Sequence, residues 1–471
     1  MDSQVSRMDN RWTLHIEDFG KIRTADITVA PLTLFVGDNN SGKSYLMTLL
    51  YTLLHLQIGE LDLCEELPQY QECEDWLLSS IKEADSHIDW RIPICGEALH
   101  LFETLLNTVL ERNKVEICRK AFERDVVIGK ISISFPLDLG RMLVITPKEE
   151  FSFASDSGWS FALLDRTGNR FLPDAYIETR SEEPSPDGLR FLTSYILECL
   201  LKWGLSSDIS HHHDVVFLPI SRTGFMLTYV PLAGESLKAA NSGYYQERKI
   251  AVGARLTKPY SDFLRAILTI DKSKMENRNQ DIVCFIERTM VHGFISVSGE
   301  YSVPEFSYLP AGSEDEYSMA LSSGVVTELA PLLLFLRHTP VQTLFIEEPE
   351  ISLHPALQQA MARVLVRLSN QGTPVFATTH NNTIIQHINN MIRLSHISGE
   401  TRDTVLKKIH FDHSDLIDEE SITMCQFDVD GEDRTTVHEL SGDEYGFVVP
   451  TFVDALTKML DQSRAARQDL K

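Results

Sequence analysis

No apolar run in these 471 residues approaches the ~18 that a membrane span needs, and the opening MDSQVSRMDNRW carries no apolar signal core. That predicts a soluble, cytoplasmic protein without membrane contact. Cysteine is sparse and unpatterned: the seven, at 64, 73, 95, 118, 199, 284 and 425, form no C-x-x-C pair, which suggests neither a disulfide framework nor a zinc site and fits reduced thiols. Positive charge is also short. Lys+Arg 43 against Asp+Glu 68 leaves a net charge of −25, so the surface as a whole repels nucleic-acid phosphates and anionic lipid. Any DNA contact falls to a local patch. Long heptad runs are missing too, which argues against extended coiled-coil arms. His211-His212-His213-Asp214 has ligand types for a metal, but adjacent side chains on an extended chain point to opposite sides, so it reads as a polar loop.

What is present centres on residues 32–54, LTLFVGDNNSGKSYLMTLLYTLL. An apolar strand, Leu32 to Val36, runs into G-x-x-x-x-G-K-S and then into a helix-period run. Gly37 and Gly42 let the backbone curl so that the N–H groups of Asn39, Asn40, Ser41 and their neighbours face a phosphate chain. Lys43 reaches the β/γ-phosphates, the Ser44 hydroxyl suits Mg²⁺, and Tyr45 follows in the first turn of the helix. The positive end of that helix dipole adds to the site. The expected cofactors are ATP and Mg²⁺.

Before the loop, Trp12 to Glu17 and Ile22 to Val29 read as strands joined by a Phe19-Gly20 turn. After it, residues 55–210 carry no nucleotide motif. Within them, 60–90 hold ten Asp/Glu against one Lys on a helix-compatible backbone, which is either a solvated face or a docking surface for a basic partner. Glu97 to Phe122 continues as helix, 126–171 is strand-rich, and 189–204 is helical. Val215 to Pro219 is a buried-type strand that leaves Arg222 at its end, turned toward nucleotide, across a dimer interface or into an exposed loop. Residues 246–280 carry eight Lys/Arg against four Asp/Glu, the best patch for nucleic acid or a partner, with a helix clearest from Pro259 to Ile270.

The chain returns to nucleotide chemistry near residue 319. Met319-Ala320-Leu321-Ser322-Ser323-Gly324 opens a helix whose dipole and hydroxyl, at Ser323 and Gly324, suit a phosphate. Thr343 to Ile346 is a continuous apolar strand ending in Glu347-Glu348-Pro349-Glu350. Strand C-termini are where open α/β sheets bind ligands, and two carboxylates there call for a cation: Glu347 on the metal side, Glu348 polarising water. Pro355 starts another helix. Thr373 to Thr378 forms a further strand that ends at His380, on the same sheet edge as Glu348.

GDNNSGKS, LSSG, FIEEPEISLHP and ATTHN, in that order, resemble an ABC-type ATPase of the AAA15/AAA21 group, which includes the ATPase parts of overcoming-lysogenization-defect proteins and of anti-phage systems such as PARIS, Septu and some retrons. The resemblance implies an α/β fold: an ABC-ATPase head, a P-loop NTPase with an N-terminal antiparallel β-meander, carrying a long, mostly helical insertion. It divides the chain into an N-terminal lobe (1–54), an inserted helical and β subdomain (55–210), a return to the head with a basic helical segment (211–300), a C-terminal lobe (301–400) and a C-terminal cap (401–471). It also implies that Glu348, His380 and Lys43 are catalytic and that Ser323 and Gly324 complete the site of the opposite subunit in a homodimer or higher oligomer. Glu347 stands where many ABC proteins have Asp, and LSSG lacks the second glycine of transporters. Only 91 residues follow His380, too few for a Toprim nuclease. An effector such as a nuclease, and a foreign trigger protein, are therefore expected as separate chains. An SMC/RecF-like DNA-repair or chromosome-maintenance ATPase is the alternative.

Overall fold

The computed structural model describes residues 11–84, 90–136, 138–148, 158–165, 175–178, 184–203, 215–229, 256–298 and 304–468. The histidine run at 211–213 and the basic residues 248–255 lie outside them. The described residues fall in two compact units, one within Met1–Ala30, Thr52–Lys120 and Arg124–His213, the other within Pro31–Tyr51, Ala121–Glu123 and Asp214–Lys471.

In the first unit, β1 (Thr13–Phe19) and β2 (Ile22–Thr28) form an antiparallel hairpin turned at Gly20, where φ is 57°. Leu14, Ile16 and Phe19 are buried while His15, Glu17 and Asp18 face outward, the two-residue period of a half-buried strand. β5 (Lys130–Ser134) pairs with the other edge of β1. The inserted segment is mixed, as the strand-rich reading of 126–171 expects, although the resemblance implies a mostly helical insertion. Alongside helices α2 (Pro68–Ala84), α3 (Gly96–Phe122) and α4 (Pro186–Trp203) it holds an antiparallel sheet in the order β4 (Trp90–Cys95), β6 (Asp138–Lys148), β7 (Gly158–Asp165), β8 (Ala175–Glu178). Along α3, Phe102, Leu106, Val109, Leu110 and Ile117 recur at helical spacing and are buried. Several acids of the 60–90 run are partnered inside this unit: Glu60 by Lys120, Asp62 and Glu66 by Arg112, and Glu65 by Arg190.

The second unit is built on β3 (Leu32–Gly37), followed by α1 (Lys43–Leu54). Its parallel strands run β15 (Ile422–Val429), β3, β14 (Val375–Thr379), β13 (Thr343–Glu347), β9 (Val215–Leu218), with β16 (Thr435–Glu439) antiparallel beyond β15. β3, β9, β13 and β14 are buried at every position, as continuous apolar strands covered on both faces must be. The register pairs Thr378 with Phe35 and Glu347 with Thr378, so the C-terminal tips of β3, β14 and β13 align. Phe345 stacks on Phe376 at 4.5 Å within this core.

Helices α5 (described over 222–229), α6 (Lys258–Leu268), α7 (Gln280–Ile286), α8 (Gly324–His338), α9 (Pro355–Asn370), α10 (Asn382–Ser395) and α11 (Gly399–Ile409) accompany the sheet. A small antiparallel sheet, β10 (Gly293–Ser298), β11 (Glu305–Pro310) and β12 (Tyr317–Ser318), precedes α8. The segment 401–471, read from sequence as a cap, puts β15 directly beside the glycine-loop strand and then adds β16, the short pair β17 (Gly442–Asp443) and β18 (Gly446–Phe447), and helix α12 (Pro450–Gln468). The acid cluster of 409–430 is structural in part: Asp415 is fully buried between Arg363 and Arg367 of α9.

Candidate active site

Gly37 ends β3 at φ 135°, and a Cβ there would lie 2.6 Å from the Phe427 carbonyl oxygen of β15, so only glycine fits. Gly42 (φ 100°) and Asn40 (φ 61°) complete the left-handed turns that curl the loop. Asp38, Asn39 and Asn40 are exposed at its crest, Ser41 is buried, and Ser44 and Tyr45 are exposed on the first turn of α1. The Lys43 side chain lies inside this cradle, donating to Gly37 O at 3.0 Å, Asp38 O at 2.5 Å and Ser41 Oγ at 3.2 Å. Burial lowers its pKa, opposed by the negative charge of Glu348, Asp38 and Glu350. Tyr45 stacks on Phe122 with ring centres 5.0 Å apart.

The acids stand one strand over from β14. Glu347 is buried, and its Oε2 accepts from the Ile220 amide at 3.1 Å and the Tyr260 hydroxyl at 2.9 Å, which leaves Oε1 for a cation. Burial and the Glu347 charge push the Tyr260 phenol far above its ordinary pKa, so it stays a donor. Glu348 sits at φ 42°, a left-handed conformation costly for a residue with a Cβ. Its amide is held by Thr378 O at 3.1 Å and Thr378 Oγ1 at 3.2 Å, which fixes the reversal that turns the side chain. The His380 imidazole meets it, Nε2 to Glu348 Oε1 at 3.0 Å, and that hydrogen bond raises the His380 pKa against the opposing effect of burial.

Two features were not read from sequence. Glu350, visible as the third acid of EEPE, is buried; its Oε1 accepts from Thr379 Oγ1 at 2.8 Å and the His380 amide at 3.2 Å, so it holds the histidine's backbone. Its Oε2 is buried without a hydrogen-bond partner among the described residues, and burial raises its pKa. Arg222 is not turned outward, toward nucleotide, a second subunit or solvent, as the sequence suggests, but inward. It is 2 % exposed, pairs with Glu328 of α8 at 2.8 Å, and donates to the carbonyls of Pro219 at 3.1 Å, Glu347 at 2.7 Å and Glu348 at 3.1 Å. Glu328 also accepts from the Thr223 hydroxyl at 2.7 Å. One buried cation thus ties α8 to the tip of β13.

Residues 319–321 form a 3₁₀ turn, and α8 starts at Gly324 with Ser323 as its N-cap, accepting from the Val326 amide at 3.4 Å. The described hydrogen bonds of Ser323 stay within the first turn of α8. Lys43, Glu347, Glu348, Glu350 and His380, by contrast, converge on one edge of three adjacent strands. A cradle with one buried ammonium, an exposed hydroxyl at Ser44 and a half-satisfied carboxylate at Glu347 is a donor set that suits a nucleoside triphosphate with a divalent cation.

Residues 13–138 match the AAA_15 family, an AAA ATPase domain, and residues 205–386 match the AAA_21 family, an AAA domain described in terms of the AbiEii toxin and a type IV toxin–antitoxin system. The first match contains the glycine loop, the second the helix opened by Ser323, both acids and His380. The chain carries ATPase regions of the AAA15/AAA21 group. No curated protein matches it. Solved structures similar to this AAA15/AAA21 ATPase include an SMC head bound to the C-winged helix domain of ScpA (12% identity, TM-score 0.37, covering 92% of this chain and 98% of that one). Others are the SMC head domain from Thermotoga maritima (13%, 0.32, 92% and 99%) and an Smc head with an extended coiled coil bound to the C-terminal domain of ScpA, derived from Pyrococcus furiosus (12%, 0.35, 97% and 99%). Scores this low carry no residue-by-residue alignment. Among the described residues no helix is long and apolar enough to cross a membrane.

Proposed function

We propose that this ATPase is the sensor or scaffold subunit of an anti-phage defence system, in which its nucleotide state controls a separate effector such as a nuclease, and a foreign trigger protein alters that control. The convergence of Lys43, Glu347, Glu348 and His380 on one sheet edge supports the hydrolytic part of this reading. The description of the AAA_21 family by a toxin–antitoxin system, a two-component arrangement, supports the part with a separate partner.

In this reading the loop amides and Lys43 bind the β- and γ-phosphates, and Ser44 with Glu347 Oε1 hold Mg²⁺. Bound Mg²⁺ neutralises phosphate charge as a Lewis acid. Glu348 takes the proton of the attacking water, and His380, held by Glu348 and through its amide by Glu350, steadies that carboxylate beside the γ-phosphate. Ser323 and the α8 N-terminus face the γ-phosphate held by a second copy, closing an ATP sandwich between two heads.

Two experiments test this. Subunits carrying Lys43→Ala and subunits carrying Ser323→Arg are each expected to be inactive alone, and mixing them is expected to restore roughly one working site per mixed dimer. Hydrolysis should also rise more than linearly with protein concentration where subunits associate. Strictly linear kinetics from a proven monomer would count against the sandwich. For the effector, co-expression with the product of the adjacent gene followed by pull-down should recover a complex from wild type but not from Lys43→Ala. That capture should weaken as salt rises if the acidic face of α2 contributes, since exposed charges are screened beyond ~8 Å at physiological ionic strength. Purified protein that finds no partner yet binds duplex DNA tightly at physiological salt would favour an SMC/RecF-like repair ATPase instead.

A further inference from the structure

We infer that Tyr260 is the positioning residue for the metal-side carboxylate. The inference rests on the reading in which Glu347 holds Mg²⁺. A carboxylate at the end of a strand can rotate about its last bonds and offer either oxygen, or both, to a cation. In this chain the choice is made by the protein: Oε2 is engaged from two directions, by the Ile220 amide at 3.1 Å from the loop after β9 and by the Tyr260 hydroxyl at 2.9 Å from the first turn of α6. With Oε2 held twice, Oε1 is the oxygen presented to a cation, in one orientation. Outer hydrogen-bond partners of this sort orient metal-binding carboxylates and tune their affinity.

The tyrosine is itself fixed from several sides. Pro259 occupies the first turn of α6, and Phe263, Leu264 and Ile267 bury the helix against the second unit's core. The Tyr260 ring packs on Phe225 at 5.8 Å and lies 6.2 Å from Phe217 of β9, the strand neighbouring β13. Two residues on, Asp262 accepts from Lys258 at 2.6 Å and from the Tyr51 hydroxyl of α1 at 3.3 Å, so α6 is tied both to the helix that follows the glycine loop and to the acid at the tip of β13. Tyr260 is therefore a rigid donor carried on a braced helix, and its hydroxyl has one described acceptor, Glu347. The sequence offers no signal for it, because 87 residues separate the two side chains.

The test uses the full chain with Tyr260→Phe, which keeps the ring and its packing and removes only the donor. Affinity for a fluorescent ATP analogue is measured in EDTA and across a Mg²⁺ titration, together with the thermal midpoint. The expected result is a rise of roughly ten-fold in the Mg²⁺ concentration that gives half-maximal enhancement of nucleotide binding, with binding in EDTA within two-fold of wild type. A Mg²⁺ titration unchanged by Tyr260→Phe overturns the inference while leaving Glu347 in its role. So does a loss that is equal in EDTA and in Mg²⁺, which would mean that the hydroxyl serves packing alone. Glu347→Gln is run beside it and should abolish the Mg²⁺ enhancement; full enhancement in that variant removes the metal-side reading of Glu347 and the inference with it. In the Glu347→Gln background the second substitution should change nothing further, since non-additivity of this kind marks two residues acting through one contact. Additive effects in that cycle would overturn the coupling even if Tyr260→Phe lowers the thermal midpoint.

Discussion

Glu348→Gln is expected to leave ATP binding intact and to slow turnover by roughly 10²- to 10⁴-fold, the usual cost of losing a general base. The expectation follows from how the residue is held. Its backbone is fixed in a left-handed conformation (φ 42°) by two hydrogen bonds to Thr378, so the side-chain direction is set by β13 and β14 and not by the carboxylate itself. Glutamine keeps that shape and can still meet His380, but its amide does not accept a proton. The histidine reports on the change independently. In the wild type the Glu348 contact raises the His380 pKa, so this pair stabilises the fold fully below about pH 6.5, the unperturbed histidine value, and loses that contribution as pH rises through the raised folded pKa. In Glu348→Gln the His380 pKa should fall, followed by imidazole NMR shifts against pH. Quenched-flow hydrolysis with a parallel binding titration measures the main effect. If Glu347→Gln instead proves harsher for catalysis and milder for Mg²⁺-dependent binding, the two acids exchange roles.

The parts of this site legible in the sequence are those in which the chemistry sits on one short stretch. The glycine loop follows its strand without a gap, Glu347 and Glu348 close an unbroken apolar strand, and His380 comes directly after Thr379 at the end of another. Local pattern suffices there because a parallel strand buried on both faces admits no charged residue until its tip. The parts that were missed depend on contacts across the chain. Arg222 stays ambiguous in the sequence because its partner Glu328 is over a hundred residues away, on α8. β15, ITMCQFDV, lies in an acid-rich stretch of sequence, yet pairing with β3 buries its first six positions and leaves only Asp428 and Val429 exposed at the end. Asp415, upstream of it, is held by Arg363 and Arg367 on successive turns of α9, which only the fold brings to it. Helix α12 begins at Pro450, after the chain has turned through Gly446 at φ 98°, where a Cβ would meet Asn389 at 2.2 Å.

Lys43→Ala is expected to abolish measurable ATP binding at micromolar protein. The loop crest, Asp38 to Ser41, offers backbone amides and small polar side chains, and Lys43 is the one cationic side chain that the glycine loop carries. Lys43 is 6 % exposed, and its ammonium already shares the cradle with Gly37 O, Asp38 O and Ser41 Oγ, so it needs little rearrangement to meet a phosphate. It also offsets the field of Glu348, Asp38 and Glu350, all of which act on it. Without it a triphosphate would meet the negative charge of Glu348, Asp38 and Glu350 with no lysine to offset it. Truncating one partner of a buried, hydrogen-bonded charge pair costs about 2–5 kcal/mol, or roughly 30- to 5000-fold in affinity, and the loss should appear in EDTA as well as in Mg²⁺. That last feature separates Lys43 from Glu347, whose substitution should matter only when the metal is present. Equilibrium titration with a fluorescent ATP analogue reads both variants under both conditions. Undiminished binding by Lys43→Ala would remove the phosphate-loop assignment itself.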